Sequence, residues 1–242
     1  MRTAASQPPP RVGKVYLIGA GPGAADLITV RGARILAQAD VVLHDALVTA
    51  EMLELCPQAV KISVGKRSGQ RSTAQQEINQ RLLECAAQYG IVVRLKGGDP
   101  MLFGRADEEL RALESRNIPY EIVPGITAAL AAAASAKQPL TIRGVARSVS
   151  LFTSSTAPDQ PQEARMPNGD TLVQYMGGRE ATATARRLLA LGHAPETPVI
   201  VVENCSRDDE RIRHLQLSGL EQGLTECSGP VLVMIGPALA PR

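Results

Sequence analysis

Aromatic residues are nearly missing from this chain of 242: there is no Trp, with four Tyr and two Phe. Proteins that hold single-stranded nucleic acid stack bases on aromatic rings, and this chain has almost none to offer. A surplus of one charge is lacking too. Lys plus Arg number 26 and Asp plus Glu 24, a formal net charge of +2. A general nucleic-acid binder needs a large cationic excess. No apolar run approaches the roughly 18 residues of a membrane span. The first residues, Met1 to Gly13, are polar and include Pro8-Pro9-Pro10, with no apolar signal core. They predict a disordered tail over 1–13. The four cysteines (Cys56, Cys85, Cys205, Cys227) are scattered without a C-x-x-C pair, which predicts reduced thiols and a cytoplasmic protein. His44, His193 and His214 lie far apart and give no zinc spacing, so no metal is expected.

What the chain has instead is alternation. Hydrophobic residues make up 44% and charged residues 21%, ordinary values for a folded domain. Short β-branched runs predict strands at 15–18, 41–43, 60–64, 91–95 and 120–123. Helical periodicity predicts helices at 30–38, 50–55, 74–88 and 106–115. Thr29 reads as an N-cap, and Ser72-x-x-Gln75 as a capping box. Pro124-Gly125 then breaks the pattern, followed by an Ala-rich helix at 128–136. The alternation resumes with strands at 149–153, 172–175, 199–202, 213–217 and 231–235. Helices at 180–191 and 220–226 lie among them, and 157–169 reads as a long loop. In the first half, strands that are apolar throughout predict a sheet covered on both faces, with much parallel pairing. The expected class is α/β, in two lobes spanning 14–124 and 125–238. No internal repeat is present.

Glycine-rich loops follow the strands. Gly19-Ala20-Gly21-Pro22-Gly23-Ala24 fits G-x-G-x-x-A, with Asp40 and Asp45 near the distance at which a dinucleotide site places its acid. Two details oppose that reading. Helical periodicity begins only after Thr29, so no helix N-terminus faces the loop. Pro22 also removes a backbone donor. By itself the loop fits a ligand site and a tight turn equally well. A second loop, Lys96-Gly97-Gly98-Asp99-Pro100, lets a ligand approach the backbone closely and offers a carboxylate for a ribose or an ammonium. Val123-Pro124-Gly125-Ile126-Thr127-Ala128 and Tyr175-Met176-Gly177-Gly178 follow later strands. Open α/β sheets bind ligands at such carboxyl ends.

The segments Val15–Gly23, Asp40–Val48, Val64–Arg67, Val92–Arg105, Val123–Ala128 and Tyr175–Gly177 together resemble the tetrapyrrole (corrin/porphyrin) methylases. Within that family they are most similar to the members that methylate uroporphyrinogen III. The resemblance runs from about Lys14 to Gly236. It implies two α/β lobes with the active site in the cleft between them. It implies S-adenosyl-L-methionine as cofactor, with S-adenosyl-L-homocysteine as product. The implied reaction methylates two adjacent rings of uroporphyrinogen III to give precorrin-2, for sirohaem or cobalamin, in a homodimer. Position by position, the cofactor contacts fall on Pro22, Gly97, Gly98, Asp99, Leu102, Thr127, Ala128 and Met176. Cys205 stands where the family has a glycine contact. The proton acceptor falls on Asp45 and the proton donor on Lys66.

The chemistry needs alignment more than activation. A methyl sulfonium is already electrophilic, so the protein's task is to position the pyrrole carbon and exclude water. A carboxylate must then take a proton from the macrocycle. The acetate and propionate arms of the substrate call for fixed cations, Arg above all. Arg67, Arg105 and Arg143 are the first candidates, with Lys96, Arg71 and Arg147 nearby. Ala24 stands where the family has Asp and His44 where it has Tyr, and two further departures fall where substrate contacts are expected. Ile142 replaces a His before Arg143, and Ser154-Ser155 replaces Gly-His. Three other readings stay open: a methylase of a later corrin intermediate, an oxidoreductase using the first glycine loop, and a non-catalytic tetrapyrrole binder.

Overall fold

In the computed structural model, which describes residues 12–65, 75–155, 165–225 and 227–241, the five strands expected in the first half form one sheet. They are β1 (Lys14–Gly19), β2 (Val41–His44), β3 (Val60–Ser63), β4 (Ile91–Lys96) and β5 (Tyr120–Val123), in the order β3-β2-β4-β1-β5. Every pairing among them is parallel. Between the strands run α1 (Val30–Leu36), α2 (Ala50–Glu54), α3 (Gln75–Gln88) and α4 (Ala106–Glu114).

The two-residue period of the strands assigns their side chains to opposite faces. Val15, Leu17, Val41, Leu43 and Val92 pack on one face with Ile78 and Leu82 of α3 and Leu113 of α4. Ile18, Val42, Val93 and Leu95 pack on the other with Leu36 of α1 and Met52 of α2. Burial on both faces explains the nearly unbroken apolar runs. Thr29 caps α1 as expected, its hydroxyl accepting from Gly32 N at 3.1 Å. The capping Ser72 and the loop cations Lys66, Arg67 and Arg71 lie outside the described residues. So does the expected N-terminal tail, apart from Val12 and Gly13. Gly13 is no part of a free tail, because its N–H donates to Ala86 O at 2.8 Å.

The chain divides into two compact units, Met1–Thr127 and Ala128–Arg242. The second unit opens with α5 (Ala128–Ser135). Its sheet contains β6 (Val149–Thr153), β7 (Thr171–Tyr175), β8 (Pro198–Glu203), β9 (Arg211–Gln216) and β10 (Val231–Ile235), in the order β6-β7-β10-β8-β9. Helices α6 (Gly177–Ala190) and α7 (Leu217–Glu221) supply Leu188, Leu217 and Leu220 to its core.

The second sheet is mixed. Only β6 and β7 pair in parallel; β10 is antiparallel to β7 and β8, and β8 is antiparallel to β9. The link from β8 to β9 is too short for a crossover, which takes a dozen residues or more, so those strands must form a hairpin. Buried central strands look alike in sequence whichever way they pair. One element boundary also differs from the expectation. Leu217 ends no strand; it opens α7, and its burial there made it look like a strand residue.

Candidate active site

The topology of the first sheet places β1 between β4 and β5, so the loops leaving these three strands are neighbours at the carboxyl edge. Their contacts are mostly backbone. Ala20 N donates to Lys96 O at 2.7 Å. Gly21 and Gly98 exchange hydrogen bonds, Gly21 N to Gly98 O at 3.2 Å and Gly98 N to Gly21 O at 2.7 Å. Both have left-handed backbones, with φ of 74° and 70°, which favour glycine. Among the described residues, its chain neighbours aside, a Cβ added at Gly98 would meet no atom within 4 Å. At Gly19 the demand is space: a Cβ would lie 2.5 Å from the Cα of Gly125.

Asp99 ties the second loop to the third. Its Oδ2 accepts from Gly125 N at 2.9 Å and its Oδ1 from Met101 N at 2.8 Å. The first and second loops therefore touch through Gly21 and Gly98, and the second and third through Asp99 and Gly125. This brings together Gly97, Gly98 and Asp99 with the loops that carry Pro22 and Thr127. Between Pro22 and α1 stands a 3₁₀ turn, Ala25–Leu27, and α1 begins only at Val30. The glycine loop thus has no helix N-terminus to present to a pyrophosphate, which argues against the dinucleotide reading.

At the exit of β2, Asp45 meets a buried ion cluster that the motifs did not reveal. Arg94 Nη2 donates to Asp45 Oδ1 at 2.6 Å, and Arg94 Nε to Glu109 Oε1 at 2.9 Å. Lys96 Nζ donates to the other Glu109 oxygen at 2.9 Å. The Arg94, Glu109 and Lys96 side chains are 2%, 0% and 3% exposed, while that of Asp45 is 29% exposed. Burial pushes the Lys96 ammonium below its usual range, and the neighbouring Arg94 adds to this. Lys96 was grouped with the substrate cations; buried and held by Glu109, it is a structural cation. One sequence signal was available. Arg94 and Lys96 alternate inside the otherwise apolar β4 run, and acids Asp107, Glu108 and Glu109 open α4.

The other candidates stand as follows. Leu102 is half-buried on the second loop, and its N–H donates to Asp99 O at 3.3 Å. Arg105 has a left-handed backbone at the start of α4, and its exposed guanidinium pairs with both Glu108 oxygens at 2.7 and 2.8 Å. Arg143 is exposed, in the turn closed by Ile142 and Ala146. Lys66 and Arg67 lie outside the described residues.

In the second unit, Met176 is 52% exposed and left-handed at the start of α6. The preceding Tyr175 accepts from Ala129 N at 3.1 Å, which joins the β7 exit to the start of α5 at Ala128. Cys205 sits between left-handed Asn204 and Ser206 and is buried. Burial, reinforced by Glu210, pushes its thiol up to about 12, so it stays protonated, and it hydrogen-bonds Ser135 at the far end of α5. Among the described residues no cluster of three or more His, Cys, Asp or Glu is arranged to hold a metal, and no helix is long and apolar enough to cross a membrane.

The family model of the tetrapyrrole (corrin/porphyrin) methylases matches residues 14–221. The chain belongs to this family. Its methylase relatives include the uroporphyrinogen-III C-methyltransferase of Pseudomonas aeruginosa, 45% identical over 228 residues, which are 93% of either chain. A siroheme synthase of Yersinia pseudotuberculosis is 43% identical over 229 residues, 93% of this chain. The match covers 48% of that protein, so this chain spans about half its length. Among solved methylases, the uroporphyrin-III C-methyltransferase of Thermus thermophilus complexed with S-adenosylhomocysteine superposes with a TM-score of 0.81. It is 37% identical, and the match covers 93% of both chains. A cobalt precorrin-4 methyltransferase superposes with a TM-score of 0.82 at 28% identity, over 98% of this chain and 100% of its own.

Proposed function

We propose that this tetrapyrrole methylase transfers methyl groups from S-adenosyl-L-methionine to two adjacent rings of uroporphyrinogen III, giving precorrin-2. The observation that carries the reading is the set of three loops at the β1, β4 and β5 exits, packed backbone to backbone. Among the described residues, none but its chain neighbours comes within 4 Å of where a side chain on Gly98 would project. Such a cradle fits a cofactor gripped by peptide groups. Gly97, Gly98, Asp99, Leu102, Pro22 and Thr127 are the proposed cofactor residues of the first unit, and Ala128, Met176 and Cys205 those of the second. When bound, the cofactor supplies a methyl group already activated by its sulfonium.

The protein's part is positioning and proton removal. Asp45 takes the proton that the methylated macrocycle must lose, and Lys66 donates a proton or holds a substrate carboxylate. Arg67, Arg105 and Arg143 pair with the carboxylate arms, Arg105 exchanging Glu108 for substrate. The reading includes a cytoplasmic homodimer serving sirohaem or cobalamin synthesis. The greater identity to the uroporphyrinogen methylases favours it over a later corrin intermediate.

The deciding assay supplies purified protein with S-adenosylmethionine and enzymatically made uroporphyrinogen III. The expected product is the precorrin-2 chromophore, with two methyl groups transferred per macrocycle. No chromophore, together with turnover of a later precorrin, would move the assignment to that substrate.

A further inference from the structure

We propose that Arg94 is a positioning residue for this reaction: anchored by Glu109, it fixes the Asp45 carboxylate so that Oδ2 stays available to the substrate proton. The inference rests on the reading of Asp45 as proton acceptor and extends it to a residue with no direct role in the chemistry. In the step concerned, a C–H bond of the methylated macrocycle breaks. Its electron pair stays in the ring system, and the proton passes to Asp45.

The guanidinium is held on every side. Nε donates to Glu109, Nη1 to the carbonyls of Leu95 at 3.2 Å and Leu43 at 3.5 Å, and Nη2 to Asp45. Glu109 is fixed in turn by Lys96, and Gln75 Nε2 reaches it at 3.4 Å. Two cations thus face two carboxylates. Three of the four charged side chains are almost fully buried, and Asp45 alone has substantial exposure. The cluster therefore ends in a carboxylate at the rim. One oxygen of Asp45 is engaged, and the other has no hydrogen-bond partner among the described residues. The Asp45 backbone is fixed as well: its N–H reaches Leu95 O at 3.4 Å, and Gly65 packs so closely that a Cβ there would lie 2.8 Å from the Asp45 Cα.

Stability alone does not account for this arrangement. Buried ion networks cost desolvation, and well-packed apolar groups commonly serve as well or better. A planar fork that binds two carboxylates at once is a means of fixing direction, which a lysine ammonium does not reproduce.

The test is a double-mutant cycle on the full chain with Arg94→Lys, Asp45→Asn and the pair, measuring kcat, KM and S-adenosylhomocysteine affinity. Arg94→Lys should lower kcat by about 30-fold or more, within the range that general base catalysis supplies. The KM for uroporphyrinogen III and the affinity for S-adenosylhomocysteine should change by no more than about threefold, as a mainly kcat effect requires. In the Asp45→Asn background the same change should cost less than about threefold, because the carboxylate it aims is gone. An equal loss in both backgrounds would overturn the proposal, since Arg94 would then act without Asp45. Asp45→Asn slow but Arg94→Lys near wild type would overturn the proposal and leave the Asp45 reading standing. Asp45→Asn at wild-type kcat would overturn both. If Arg94→Lys fails to fold, Glu109→Gln takes its place in the cycle, with the same pattern expected and the same outcomes decisive.

Discussion

Asp99 bears on the proposed cofactor site through two backbone amides. Both oxygens are engaged, one by Gly125 N and one by Met101 N, and the two bonds hold the β4 and β5 exits in register. Asn has a single carbonyl oxygen, so Asp99→Asn turns an N–H toward one of those amides. An amide left without its acceptor costs about 1–3 kcal/mol. The expected result is a weakening of S-adenosylhomocysteine binding by about tenfold, equivalent to about 1.4 kcal/mol, measured by isothermal titration. Unchanged affinity would mean that the loops keep their shape without Asp99. The residue itself was readable, because the Gly97-Gly98-Asp99 motif is local in sequence. The Arg94–Glu109–Asp45 cluster was not, because it joins β4, α4 and the β2 exit across separations of 15 and 49 residues. No local motif records such a meeting. Only the charges inside an apolar strand hinted that something must neutralise them.

At the scale of elements, most helices and strands of the first unit were legible because they bury one defined face or both, the edge strand β3 being the mostly exposed exception. Periodicity reads burial directly. In the second sheet the short link implied the antiparallel β8–β9 pair, but the direction of the central β10 was not legible, since burial on two faces makes parallel and antiparallel runs identical in composition. The link between α5 and β7 was hidden too, and it carries a prediction. Tyr175 accepts from Ala129 N in the first turn of α5, where a helix has no carbonyl of its own to offer. Tyr175→Phe removes that acceptor while keeping the ring. The second unit should lose about 1 kcal/mol, the usual worth of a helix-start hydrogen bond, read as a lower midpoint in urea. A midpoint equal to wild type would show that water replaces the hydroxyl at no cost.

For the whole molecule, a net charge of +2 leaves little general self-repulsion near neutral pH, so specific carboxylates should govern the acid limb of stability. The low net charge argues against a general nucleic-acid binder. It is compatible with a polycarboxylate substrate, because a compact anion needs only a few local cations. Glu203 is the clearest of the specific carboxylates. Burial alone would raise its pKa, yet the N–H groups of Gly229 and Ser228 and the paired Arg211 hold it below the ordinary 4.5. Its Oε1 accepts from Ser228 N at 2.7 Å and Gly229 N at 2.8 Å, and Arg211 lies 2.6 Å from Oε2 as an ion pair. Asp170 is depressed in the same sense by Arg147 N and by Ser148. A carboxylate depressed in the folded state binds fewer protons there than in the unfolded chain. Its contribution is therefore complete above the unfolded value near 4.5 and is lost as pH falls through the lower folded value. Glu203→Gln should thus be less stable than wild type at neutral pH, and its urea midpoint should fall less steeply below about pH 4.5. Asp170 still titrates in the variant, so the slope is reduced rather than abolished. Two parallel curves would show that Glu203 is stabilised equally in the unfolded chain, and the acid sensitivity would then belong to other carboxylates.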